Sequence, residues 1–155
     1  MNKHDTIRIT KDFRFEMAHA LKGYDGLCKN IHGHTYELKV TIAGKPITDE
    51  NSPKLGMVMD FGDLKKIVKE EIVNHYDHAL VLYNKMPAAL LAELKNNFDR
   101  IILKDYNPTS ELMLLDFVEK IKNRLPEGVF LKHMFLRETT TSYAEWYAED
   151  NEPAV

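Results

Sequence analysis

The stretch His32 to Ile42, HGHTYELKVTI, puts His32, His34, Tyr36, Leu38, Val40 and Ile42 on one side of an extended chain, with Gly33, Thr35, Glu37, Lys39 and Thr41 on the other. Such alternation marks a strand with one buried face. Ile7 to His19, IRITKDFRFEMAH, behaves alike: Ile7, Ile9, Phe13, Phe15, Met17 and His19 share the odd positions. The loop between the two holds Gly23, Gly26 and Cys28, so the two runs predict an antiparallel pair.

Further along, Gly44 to Gly56 carries Pro46, Asn51, Ser52 and Pro53, which is turn chemistry. Asp60 then suits a helix N-cap, with Asp63 in the first turn and an apolar stripe of Phe61, Leu64, Ile67, Val68 and Ile72. Met86 to Phe98 reads as a shorter helix, and Arg100 to Lys104 (RIILK) as a brief strand or extended piece. Thr109 or Ser110 caps another helix with the stripe Leu114, Phe117, Val118, Ile121 and Leu125, ending near Pro126 and Gly128. Strands at Val129 to Glu138 and Ser142 to Ala148 close the chain. The expected architecture is α+β, an antiparallel four-stranded sheet with helices on one face in the order ββααββ. Residues 1–155 read as one domain, with no repeat or linker.

Composition narrows the function. With 44% hydrophobic residues among 155, a core is expected and disorder is not. A net charge of −3 without a Lys/Arg block argues against nucleic acid as a partner. No apolar run approaches the ~18 residues of a membrane span. A single cysteine forms no internal disulfide, and MNKHDTIRIT lacks the apolar stretch of a secretory signal, so the cytoplasm is expected. Seven histidines stand out beside that one cysteine.

His32 and His34 share a strand face, and the predicted pairing brings His19 beside them. Three imidazoles without a fourth protein ligand make the pattern of a catalytic zinc with an open position. Any one of them alone would read as a core histidine; together they read as ligands. Cys28 stands four residues before His32; its thiol reads first as a general base beside a cation, then as an inert small hydrophobe, and last as a zinc ligand that would close the site. Asp77 and His78 form an acid–base dyad if their side chains meet. Glu138, ending an apolar strand, could accept two N–H bonds from a planar heterocycle, although most such glutamates are simply solvated. The default role of Thr109, Ser110 and Glu111 is helix capping. His4, His75 and His133 read as ordinary surface or edge residues.

Taken in order, FEMAH around His19, CKNIHGH, GMVMDFGDLK from Gly56, DHAL from Asp77, NPTSE from Asn107 and RET at Glu138 resemble the 6-pyruvoyltetrahydropterin synthase family over nearly the whole chain. The three residues between Cys28 and His32 resemble the 6-carboxytetrahydropterin synthase branch, which serves queuosine biosynthesis. The resemblance implies a tunnelling fold, a homohexamer built as a dimer of trimers, and active sites at subunit interfaces. It implies zinc on His19, His32 and His34, Cys28 as catalytic thiol, and Asp77 with His78 completing its proton relay. Glu138 would anchor the pterin, helped by Thr109 and Ser110. The implied reaction converts 7,8-dihydroneopterin triphosphate to 6-carboxy-5,6,7,8-tetrahydropterin, acetaldehyde and triphosphate. A pyruvoyl-forming synthase is the rival within the family, and a non-catalytic zinc- or pterin-binding module the rival outside it. Lys22 and Lys29 lie in the right loop for the triphosphate but read as solvated. Two features depart from the family pattern: Met17, at a position that is usually small, and a long stretch from Tyr83 to Tyr106.

Overall fold

The computed structural model describes residues 5–151; His4 lies outside them. Strand β1 (Ile7–His19) pairs antiparallel with β2 (His32–Gly44) over its whole length, and a 3-10 turn (Leu27–Lys29) lies between them. Helix α1 (Phe61–Val68) passes through a π turn (Lys69–Val73) into the short α2 (Asn74–Tyr76). There follow β3 (Ala79–Tyr83), α3 (Ala88–Asn97), β4 (Ile101–Lys104), α4 (Ser110–Lys122), β5 (Val129–Thr139), β6 (Ser142–Tyr147) and a closing turn α5 (Ala148–Asn151).

The sheet has six strands in the order β4-β3-β1-β2-β5-β6, which corrects the antiparallel four-stranded sheet expected from sequence. The antiparallel ribbon β1-β2-β5-β6 is as expected, but β3 and β4 add to the free edge of β1 in parallel. The physical reason is the crossover: parallel neighbours need a long connection, and α3 supplies it between β3 and β4. ALVLY, the β3 segment, shows no period-2 alternation, because Ala79, Val81 and Leu82 are all buried. The RIILK segment is its partner, with Leu80 opposite Ile101.

Alternation in β1 and β2 does what it predicts. Phe13, Phe15 and Met17 join Tyr36, Leu38, Val40 and Ile42 on the buried face, and the stripes of α1 and α4 cover them. Asp60 caps α1 by accepting from the Gly62 amide at 2.6 Å, and Thr109 caps α4 by accepting from the Leu112 amide. A second anchor is polar. The Asp116 carboxylate on α4 accepts from Tyr76, Tyr106 and Lys104, tying α2, β4 and the following loop together. Among the described residues no helix is long and apolar enough to cross a membrane.

Candidate metal centre and active site

His19 is the last residue of β1 and His32 the first of β2, and the register sets them directly opposite one another, with Met17 opposite His34. Their Nε2 atoms lie 3.1 Å apart. His19 Nδ1 donates to the Pro108 carbonyl at 2.7 Å, and His32 Nδ1 donates to the Asn30 carbonyl at 2.7 Å. With their protons on Nδ1, both rings turn an Nε2 lone pair toward the same point, an arrangement that a shared cation satisfies. His34 points there too: its Nε2 is buried and has no hydrogen-bond partner. Glu138 Oε1 comes within 3.0 Å of that nitrogen, without the direction of a hydrogen bond, and 3.6 Å from His19 Nε2. One donor atom from each of these four residues lies within 4.8 Å of the others.

The His19 imidazole, when protonated, and then the Ser110 hydroxyl hold the Glu138 carboxyl at about 2 although its burial opposes this. Burial lowers His34 below its ordinary value, outweighing the pull of Glu138. A neutral imidazole and an ionised carboxylate are the forms that ligate metals. The three histidines predicted from spacing are therefore brought together. Glu138, predicted as a pterin anchor, stands in the same group, with Ser110 bonded to its other oxygen.

Cys28 opens on this centre. A cavity of about 300 Å³ is lined by His19, Cys28, Thr109, Ser110, Glu138 and Tyr143, among others. Thr109 reaches it while its hydroxyl caps α4. Asp77 and His78 do meet, His78 Nδ1 lying 3.0 Å from Asp77 Oδ2. Both are stapled to Glu16: its amide donates to Asp77 Oδ1 at 2.9 Å, and its carbonyl accepts from the His78 amide at 2.6 Å. The Glu16 amide is the main reason the Asp77 carboxyl sits below its usual range. His78 holds the left-handed backbone region (φ 61°), a conformation uncommon outside glycine.

The dyad does not share the cavity of Cys28. Of the pair, His78 lines a separate hollow with Glu16, Ala18, Gly33 and Thr35, and His34 reaches that hollow too. A further hollow on the His78 side is walled by Leu94, Phe98 and Arg100, so the long Tyr83–Tyr106 stretch builds α3, β4 and a rim beside His78. Met17 is packed in the core at 2% exposure. Lys22 and Lys29 are exposed, His75 belongs to α2, and His133 bonds Glu145 at the sheet edge. Sequence reasoning missed Tyr36, whose ring stands 5.6 Å from that of His34 and whose buried hydroxyl has no partner. Its place two residues after His34 on the same strand face was the available signal.

A profile of the 6-pyruvoyl tetrahydropterin synthase family matches residues 8–149. This chain belongs to that family. It is 35% identical over 141 residues to the 6-carboxy-5,6,7,8-tetrahydropterin synthase of Haemophilus influenzae, covering 90% of this chain and 97% of the relative. The synthase of the same name from Rickettsia bellii is 30% identical over 141 residues, covering 90% and 99%. Among solved structures, Caenorhabditis elegans 6-pyruvoyl tetrahydropterin synthase superposes with a TM-score of 0.65 at 24% identity, covering 95% of this chain and 99% of that one. An uncharacterized Wolinella succinogenes protein reaches 0.73 at 20% identity, covering 92% and 98%. These two likenesses establish the tunnelling fold of the family for this chain.

Proposed function

We propose that this chain is a zinc-dependent 6-carboxy-5,6,7,8-tetrahydropterin synthase, a single domain over residues 1–155 acting in the cytoplasm in queuosine biosynthesis. Its substrate is 7,8-dihydroneopterin triphosphate, and its products are 6-carboxy-5,6,7,8-tetrahydropterin, acetaldehyde and triphosphate. The observation that carries this reading is the convergence of His19, His32, His34 and Glu138 on one point, with His19 and Glu138 lining the cavity that also holds Cys28. The curated relatives named for this reaction over most of their length point the same way.

His19, His32 and His34 hold the metal, and three imidazoles with an adjoining carboxylate suit zinc. Bound there, zinc supplies a Lewis acid beside the substrate side chain. The protein does the rest. Cys28 Sγ removes and returns a proton on one face of that side chain. The Glu138 carboxylate, steered by the Ser110 hydroxyl, accepts N–H bonds from the pterin ring and fixes the reacting carbons between metal and thiol. His78, oriented by Asp77, carries the proton on the other side of the reaction. His78 and Cys28 line different hollows, and a homohexamer with interfacial sites, supplying Asp77 and His78 from a second copy, is the arrangement that brings them together.

The test is mass spectrometry of the products formed by zinc-loaded protein from 7,8-dihydroneopterin triphosphate with a carbonyl trap present. Carboxytetrahydropterin and trapped acetaldehyde are expected. A pyruvoyl product without acetaldehyde moves the chain to the other branch of its family, and no turnover leaves a binding module. Cys28→Ala should keep its zinc and lose turnover; undiminished turnover removes the thiol from the mechanism.

A further inference from the structure

The loop that carries Cys28 has little to hold it. None of residues 21–31 is buried, so hydrophobic packing does not set its position. Leu21 closes it on itself by donating to the Cys28 carbonyl at 2.9 Å, and the Lys29 and Asn30 amides bond back to Gly26 and Leu27. Among the described residues, the only hydrogen bonds tying residues 21–28 to another part of the fold come from one side chain. Asn107 Nδ2 donates to the Lys22 carbonyl at 3.0 Å, and the Lys22 amide donates to Asn107 Oδ1 at 2.9 Å. The carboxamide thus pairs with a peptide group 85 positions away as a neighbouring strand would.

The next residue reaches the metal centre. Pro108 is buried, and its carbonyl accepts from His19 Nδ1. The Thr109 amide bonds the Asn107 carbonyl at 2.7 Å, so the three residues form one tight turn, with the φ of Pro108 fixed by its ring. That turn is braced from behind, where Tyr106 and Lys104 bond Asp116. Two adjacent residues therefore grip the thiol loop and a metal ligand together.

We propose that Asn107 is a positioning residue for the reaction: it fixes the Cys28 loop relative to His19, His32 and His34, and so sets the separation of thiol and metal. This rests on the proposed role of Cys28. Asn107 is not among the residues lining the cavity of Cys28; it acts through the loop. A misplaced base loses rate without losing substrate affinity, because the ring is anchored elsewhere, at Glu138.

The experiment compares Asn107→Ala and Asn107→Asp with the parent, all zinc-loaded. Hydrogen exchange at the amides of residues 21–28 should quicken about tenfold or more in Asn107→Ala, the order that two exposed hydrogen bonds carry, while strand amides in β1 and β2 keep their protection. Zinc stoichiometry stays at the parent value. Turnover should fall about tenfold or more with KM little changed. Asn107→Asp keeps the acceptor for the Lys22 amide and loses the donor, so it should fall between the two. The proposal is overturned if exchange at 21–28 is unchanged, or if kcat survives a loosened loop. If the parent itself shows no turnover, the proposed function fails, while the exchange measurement still decides whether Asn107 holds the loop.

Discussion

Removing Asp116 tests the polar anchor behind the site. Its Oδ2 accepts from Lys104 at 2.6 Å and from Tyr76 and Tyr106 at 3.0 Å each, and the Lys104 side chain is only 16% exposed. Asp116→Ala strands that ammonium and leaves two phenols without their acceptor. Breaking a buried pair from one side costs about 3–5 kcal/mol. Some water reaches this site, because the Asp116 side chain is 24% exposed, so about 2–3 kcal/mol is the reasonable figure. At about 2–4 °C per kcal/mol for a chain of this size, the melting temperature should fall about 4–12 °C. Calorimetry of metal-free protein reads this without interference from zinc. Lys104→Met with Asp116→Leu removes both charges and should recover much of the loss, because the cost lies in an unpaired charge rather than in a missing attraction. The pH dependence has a definite sign. Burial raises the Asp116 carboxyl, but Lys104 and the two phenols outweigh it and hold the folded value below 3.8. The stabilisation is complete above the unfolded value and lost as pH falls through the folded one, so the gap between parent and Asp116→Ala should close below pH about 4. A drop under 1 °C, or a double variant as unstable as the single, would refute the reasoning.

The metal centre makes two further predictions. Zinc at about a hundred times its dissociation constant should stabilise the parent by about 2.7 kcal/mol, or about 5–11 °C by calorimetry, whereas His32→Ala should show a small shift and reduced zinc by elemental analysis. Tyr36→Phe removes a buried hydroxyl that has no partner, so its melting temperature should equal or exceed the parent's with zinc content unchanged; a clear loss of stability would show that the hydroxyl is bonded. Thr109→Ala should cost about 1 kcal/mol through the lost cap of α4, seen as a fall of about 2–4 °C in melting temperature.

Much of this was readable from residue patterns, because period 2 in β1 and β2 dictates which side chains share a face, and that alone puts His32 beside His34. The join to His19 needed only an antiparallel register. The parallel strands were hidden for a physical reason: β3 is short, packed without alternation, and defined by its partners rather than by its own residues. Position in space was equally hidden. Asp77 and His78 adjoin in sequence, yet nothing in that adjacency says that the Glu16 backbone staples them to the edge of β1, with His78 in a hollow other than that of Cys28. Glu138 read as a strand-end glutamate, and only the β5 backbone shows its carboxylate turning in among the imidazoles. Asn107 is legible as part of a turn, but its partner is 85 residues away.

The π turn at Lys69–Val73 works as a phase correction. Leu64, Val68, Ile72 and Tyr76 recur every four residues, and all four are buried. In an uninterrupted α-helix each step of four overshoots a full turn by about 40°, so that by Tyr76 the stripe would have rotated by about 120° toward solvent. A turn closed five residues on, instead of four, takes up most of that excess. Tyr76 therefore lands beneath Asp116, and the chain leaves the helix in line with Glu16, where Asp77 and His78 are caught. Deleting a single residue from this turn would leave the composition almost untouched and mistime everything after it, so this segment should tolerate substitution far better than a change of length.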